Sequence, residues 1–417
     1  TGQTLLDVTL ESESMAVDEV VVSARRLNRN DLGISDKEMV SATQKVDMEK
    51  LIAAAPVVSI EEALQGQLGG VDIVLGGDPG SRSAIRIRGT STLNASSDPL
   101  IVIDGVPYPT EISDDFNFST ATEEDLGALL NISPNDIASV EVLKDASATA
   151  IYGQRGANGV VLITTKRGEK GKVKINVKAG FNWNTPVKVP EYASAYDWAR
   201  LANDARVGRY ESPLYTDEEM SIIQHGLDSD LYPNIDWRDL MLKSGAPSYY
   251  ANISFSGGSD NVRYFVSGQY TSEDGRYRTS SSENKYNTNS TYERYNYRAN
   301  VDMNLTRTTV LKVNVGGWLV NRNSPSSSSG DIWESFAAFT PLSSPRKCSS
   351  GQWASVNGAK TPEYRMTQTG YRTIWENKIE TSVALEQDLK FITEGLKFSG
   401  VFAFDTYNKN TIVRSKE

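Results

Sequence analysis

This chain is poor in the side chains that most often carry chemistry. Its 417 residues include one cysteine and one histidine. Cys348 and His225 alone cannot form a disulfide framework, a four-ligand zinc site or a thiol–imidazole pair. Cys348 reads as a loop residue. His225, in I-I-Q-H-G, reads as a helix-end residue whose ring favours the last carbonyls. Positive charge is also short. Lys and Arg number 43 against 53 Asp and Glu, a net charge of −10. With no basic block to meet phosphates, composition argues against a nucleic-acid role. The phosphate-loop pattern G-x-x-x-x-G-K-[ST] is missing, so Gly153, Gly156 and Gly159 read as tight-turn residues. The cluster G-G-D-P-G at 76–80 likewise reads as a turn rather than a metal site. No cofactor or metal is expected, no catalytic constellation is visible, and the chain is not expected to be an enzyme.

Long apolar runs are missing too. Nothing approaches the roughly 20 apolar residues that a membrane helix needs. That absence does not make the chain soluble, because a transmembrane barrel shows only short alternating segments. The chain opens T-G-Q-T-L-L-D, without a leader, so an exported form is expected to begin after processing or later.

What is present falls into four zones. Residues 1–14 hold one alternating strand, T-L-L-D-V-T-L-E-S, expected to close a preceding small β-domain. Residues 15–45 are polar and irregular apart from Val20, Val21 and Val22, and read as an extended linker. Residues 46–170 read as a compact α+β unit. Ser59 is placed to cap a helix over Ile60 to Gln67, with Glu61 and Glu62 in its first turn. Gly69 and Gly70 end it before a strand at Val71 to Leu75. Ala84 to Arg88 alternates Ile85 and Ile87 with Arg86 and Arg88. Pro99 to Ile103 is a strand closed by Asp104-Gly105, a hairpin signal. A strand at Ser139 to Leu143 and a small-residue helix at Ala146 to Tyr152 lead through a Gly-rich turn to the strand Val160 to Thr165.

The fourth zone, residues 171–417, differs in kind. Seven segments alternate apolar and polar residues. In the first, Val173, Ile175, Val177, Ala179 and Phe181 share a face opposite Lys174, Asn176, Lys178 and Asn182. In the third, Phe265 breaks the alternation. Spans of about ten residues suit a tilted transmembrane strand. Charge keeps to one face (Lys174, Lys178, Arg263, Arg298, Asp302, Lys312, Glu380, Glu386 and Lys397). A soluble sandwich core would also exclude charge. A Lys or Arg facing lipid at midplane costs about 2–4 kcal/mol, so a wall needs the same segregation. Short turns (Asp260-Asn261, Thr306 to Thr308) alternate with long stretches at Glu273 to Glu293 and Asn321 to Lys378. That asymmetry fits an outer-membrane barrel, as do Tyr264, Tyr270, Trp318 and Phe404 read as girdle aromatics.

Four stretches resemble, in order, the plug domain of SusC-like TonB-dependent outer-membrane transporters. They are S-I-E-E-A-L-Q-G-Q-L-G-G-V-D-I from Ser59, I-R-I-R-G (85–89), P-L-I-V-I-D-G-V-P (99–107) and the run from Ile137 to Lys166. S-F-S-G-G-S-D-N-V-R-Y-F-V-S-G-Q-Y (254–270) is similar to the family's early wall strands. The resemblance decides between barrel and sandwich. It implies an α+β plug followed by antiparallel barrel strands in the bacterial outer membrane, part of a barrel of 22 strands. Seven strands leave two edges that cannot persist in lipid, so the chain is expected to be part of something larger.

The resemblance also assigns parts. D-E-V-V-V, Asp18, Glu19, Val20, Val21 and Val22, resembles a TonB box, a tethered segment that pairs with TonB by strand addition. The rival readings are a strand of the preceding domain or a plain linker. Arg86 and Arg88 would lie where plug meets wall; otherwise they form a solvated strand face. The implied function is energised import of a large nutrient, a glycan or a peptide, with a SusD-like lipoprotein as lid. Trp333, Phe336, Trp353 and Tyr364 are open to three roles: stacking on sugar, contact with the lid, or loop packing. Two rival functions stay open here. One is a surface receptor or adhesin that uses the barrel as an anchor. The other is a soluble carbohydrate-active enzyme, which needs a carboxylate pair across a cleft.

Overall fold

The computed structural model describes residues 43–54, 57–74, 78–80, 84–87, 99–108, 131–145, 149–186, 191–279 and 284–416. The expected strand within 1–14, the segment Asp18 to Val22 and Arg88 lie outside the described residues.

The plug is built from short elements rich in Ile and Val. Its central sheet joins β1 (Thr43–Asp47), β4 (Leu100–Ile103), β5 (Val106–Tyr108), β6 (Ile137–Leu143) and β7 (Val160–Thr165) in the order β1-β6-β7-β4-β5. Only the β4–β7 pairing is parallel. A separate hairpin pairs β2 (Val71–Val74) with β3 (Ala84–Ile87). Asp104 and Gly105 both have positive φ, 48° and 84°, the conformation a two-residue hairpin turn needs. Helices α1 (Met48–Ala54) and α2 (Ile60–Leu64) cover the sheet. Ser59 caps α2: the Glu62 N–H donates to Ser59 Oγ at 3.1 Å, and the Val58 N–H donates back to the Glu62 carboxylate at 2.9 Å. Met48, Ile60, Leu64, Ile85, Ile101, Ile137, Val140 and Ile163 form one buried apolar core.

Two local expectations change. Helix α2 stops at Leu64, short of Gln67, and the chain turns through Gly66 at φ 74°. Of the helix expected over Ala146 to Tyr152, residues 146–148 lie outside the described residues and Thr149 is helical, its N–H donating to the Asp145 carbonyl at 3.0 Å, but the end differs: a tight 3-10 segment spans Ala150–Gly156, kinked where Gly153 takes φ 58°. A left-handed residue cannot continue a right-handed helix.

The wall is a seven-stranded antiparallel meander. Its strands are β8 (Gly171–Asn184), β9 (Ala246–Gly258), β10 (Val262–Asp274), β11 (Thr291–Asn304), β12 (Thr309–Pro325), β15 (Gly370–Asp388) and β16 (Lys397–Ser415). A small hairpin, β13 (Ser355–Val356) with β14 (Ala359–Lys360), lies between β12 and β15. Turns at 259–261, 305–308 and 389–396 close one end of the sheet; the long connections 185–245, 275–290 and 326–369 leave from the other. Among the described residues no helix is long and apolar enough to cross a membrane.

Exposure decides between wall and sandwich. Ile175, Val177 and Phe402 are 64, 69 and 70 % exposed, while Arg294, Arg298 and Lys378 are 2, 6 and 3 % exposed. A sandwich core would invert those values. Phe265, the exception in the alternation, is buried on the inward face with Ser267 and Gln269. Trp318, expected as a girdle aromatic, lies inward instead, buried beside Tyr292 and Val320.

The long connections fold together. Helices α3 (Ala195–Val207), α4 (Asp217–His225), α5 (Trp237–Met241), α6 (Ser329–Ala338) and α7 (Pro362–Thr367) belong to them. Trp237, Met241, Tyr277, Ile332, Phe336, Phe339 and Met366 make one loop core drawn from all three connections. His225 ends α4 with its Nδ1 2.8 Å from the Ser221 carbonyl, the helix-end place its sequence suggested.

Candidate functional site

The site is the seam between the plug and the inward face of the wall. It is built almost wholly from polar side chains, because alternation places the wall's polar residues on that face. At the short-turn end β7 runs on towards β8. There Arg167 Nη1 meets Asp302 Oδ1 of β11 at 2.6 Å, and its Nη2 lies 3.6 Å from Asp104 Oδ2. Asp104 accepts from the Thr165 N–H at 2.9 Å. Asn300 of β11 donates to Thr165 Oγ1 and to the Lys166 carbonyl, both at 2.8 Å.

At mid-depth Gln269 of β10 accepts from Ser133 Oγ at 2.7 Å and Asn135 Nδ2 at 2.9 Å. Ser133 also caps the turn Pro134–Asp136, which fixes this contact at the entrance to β6. Asn296 donates to the Asn131 carbonyl at 2.5 Å, and the Tyr292 hydroxyl donates to Asn131 Oδ1 at 2.9 Å. Arg294 donates to the Val58 carbonyl at 2.9 Å, just ahead of α2. Burial pushes the Asp136 carboxyl above the usual carboxylate range; Arg298, Ser267 and Lys166 oppose the shift. Burial lowers Lys166, and Lys178 adds to it.

Beside these contacts lies a group of charges under the plug hairpin. Arg298 and Lys378 each stand 3.8 Å from Glu380, and Lys378 is 4.0 Å from Asp405. The Lys378 ammonium sits 3.8 Å from the centre of the Tyr108 ring, a buried cation–π contact. Burial pushes the Tyr108 hydroxyl well up, and Glu380 adds to it. A cavity lined by Asp104, Tyr108, Arg298, Glu380 and Asp405 adjoins the group.

Arg86, the described member of the predicted plug–wall pair, is exposed on β3 and faces Asp72 in register. Among the described residues, the basic side chains with contacts across the seam are Arg167 of the plug and Arg294 and Lys378 of the wall. The sequence signal for the wall residues was their place on the polar face; the plug partner of each was not readable.

The four loop aromatics divide. Phe336 is buried in the loop core, with Tyr192 and Trp333 edge-on at 5.1 and 5.3 Å. Trp333 keeps 38 % exposure. Trp353 and Tyr364 pack edge to face at 5.8 Å, with Lys347 4.7 Å over the first ring and Lys360 4.9 Å over the second.

The geometry agrees with what the chain is similar to. Residues 35–160 match the family described as TonB-dependent Receptor Plug Domain. A TonB-dependent receptor of Formosa agariphila is 36 % identical over 309 residues, 73 % of this chain and 27 % of that protein. The TonB-dependent receptor SusC of Bacteroides thetaiotaomicron is 29 % identical over 377 residues, 87 % of this chain and 33 % of SusC. Among solved structures, the RagAB peptide transporter matches with a TM-score of 0.63 and 26 % identity, covering 89 % of this chain and 42 % of that one. The chain thus spans a third or less of the length of these two curated relatives.

Proposed function

We propose that this chain, the plug and first barrel strands of a SusC-like TonB-dependent outer-membrane receptor, serves energised import of a large nutrient. The nutrient is a glycan or a peptide, and a SusD-like lipoprotein acts as a lid on the long-loop side. Substrate is held between lid and plug; its presence favours release of Asp18 to Val22 into the periplasm, where TonB pairs with the segment and pulls. Arg86 and Arg88 contribute to the plug–wall fit, and Trp333, Trp353 and Tyr364 face substrate or lid.

The polar seam carries this reading. Each hydrogen bond across it is worth about 0.5–1.5 kcal/mol net, because water replaces it when the plug moves. A plug held by apolar burial would resist a pull and expose grease to the channel. A plug held by Gln269, Asn296, Asn300 and Arg294 comes away into water-compatible surfaces on both sides. Deleting Asp18 to Val22 from the full-length receptor tests it. Cells given fluorescent oligosaccharide and peptide pools should keep surface binding and lose accumulation; normal accumulation would sink the TonB link.

A further inference from the structure

We propose that Asp78 is a coupling latch that joins the plug's turn to the folded loops and passes their displacement to the plug. The inference rests on the import reading and adds a regulatory residue to it. Asp78 Oδ2 accepts from the Ser329 hydroxyl and from the Tyr277 hydroxyl at 3.3 Å. Ser329 is the first residue of α6, whose Ile332 and Phe336 share the loop core with Tyr277. Both donors therefore belong to one apolar unit and move with it. Ser326 and Ser327, ahead of α6, bond to Thr369 at the start of β15, at 2.6 and 3.1 Å, which ties that unit to the wall on its far side.

The other plug contacts described above end on wall strands, which a loop movement leaves in place. The Asp78 contact ends on the loops, so it alone of those contacts changes when the loops shift. From the turn the path continues inward. Gly80 sits at φ 67°, and a Cβ there would fall 2.2 Å from the Tyr292 ring, so the turn lies directly against that ring with room for no side chain. The Tyr292 hydroxyl holds Asn131, two residues before Ser133 and its bond to Gln269. A double-mutant cycle reads the coupling directly.

The cycle uses the full-length receptor in detergent, with Asp78→Asn, Ser329→Ala and the double variant. One readout is the affinity of the isolated TonB C-terminal domain. The other is amide exchange in residues 131–143 and 329–338. Each single variant should tighten TonB binding about fivefold and loosen both segments together, with the double no stronger than either single. Ser329→Ala reaches the contact from the loop side and leaves the plug sequence intact. Wild-type TonB affinity in Asp78→Asn, exchange confined to residues 78–80, or effects that multiply in the double would each overturn the latch. A wild-type receptor that ignores TonB would overturn the import reading, while the exchange cycle would still decide the latch.

Discussion

The plug and the wall are both rich in strands, and they are turned inside out relative to each other. In the plug Ile101, Ile137 and Ile163 are buried and Arg86 is exposed. In the wall Val177 and Phe402 are exposed and Arg294 and Lys378 are buried. The same period of two therefore answers to two surroundings: the plug hides its apolar side from water, and the wall offers its apolar side to lipid. The polar seam is where the two arrangements meet, and it is mostly polar because the plug keeps its apolar residues in its own core and the wall turns most of its own to lipid.

The sharpest way to break this contrast is to put one lysine in each apolar region. Ile163→Lys buries an unpaired charge in the plug core and should lose more than about 4 kcal/mol, read as a trypsin-sensitive plug in an otherwise assembled receptor. Val177→Lys on the lipid side should lose about 2–4 kcal/mol, less towards either interface, read as lowered thermal stability of the folded band on a gel. Equal sensitivity of the plug to both would mean that the two regions are not separate. Next comes the seam. Arg294→Ala removes a charged donor from the Val58 carbonyl and should weaken plug seating by about 1.5–3 kcal/mol, measured as earlier plug unfolding in urea with the barrel still folded.

The smallest effect expected is on pH. Asp136 is held above the ordinary carboxylate value by burial, so the seated plug binds its proton more tightly than the unfolded chain. Seating should weaken as pH rises from the ordinary value through the raised one, level off above it, and be strongest below the ordinary value. Asp136→Asn should flatten that part of the profile; an unchanged slope would assign it to another group.

The wall was legible because lipid and water enforce strict alternation, as in Val173 to Phe181. Its length was less so. Asn321 to Ser324 looks like loop, since polar residues fill both faces, yet β12 continues to Pro325 because ladder hydrogen bonds to β15 do not depend on hydrophobicity. Trp318 matched a girdle aromatic in type and place, and only its register opposite Asn296 and its place beside Tyr108 show that it serves the plug side. The hairpin at Asp104-Gly105 could be read from two residues, because few other pairs accept positive φ in succession. The seam could not. Arg294, Asn296 and Arg298 are alike in sequence, and which plug atom each meets depends on how a separately folded body is seated. The Asp78 contact joins residues 251 positions apart.

The longest strands have a consequence for what can approach the protein. β15 and β16 each run 19 residues. At about 3.3 Å per residue and a tilt of roughly 40°, each climbs nearly 50 Å, about twice the height of the oily belt around such walls. The surplus forms a parapet. A wall this tall outruns the lipid, and the loops it carries fold as a body of their own around Trp237, Tyr277 and Phe336.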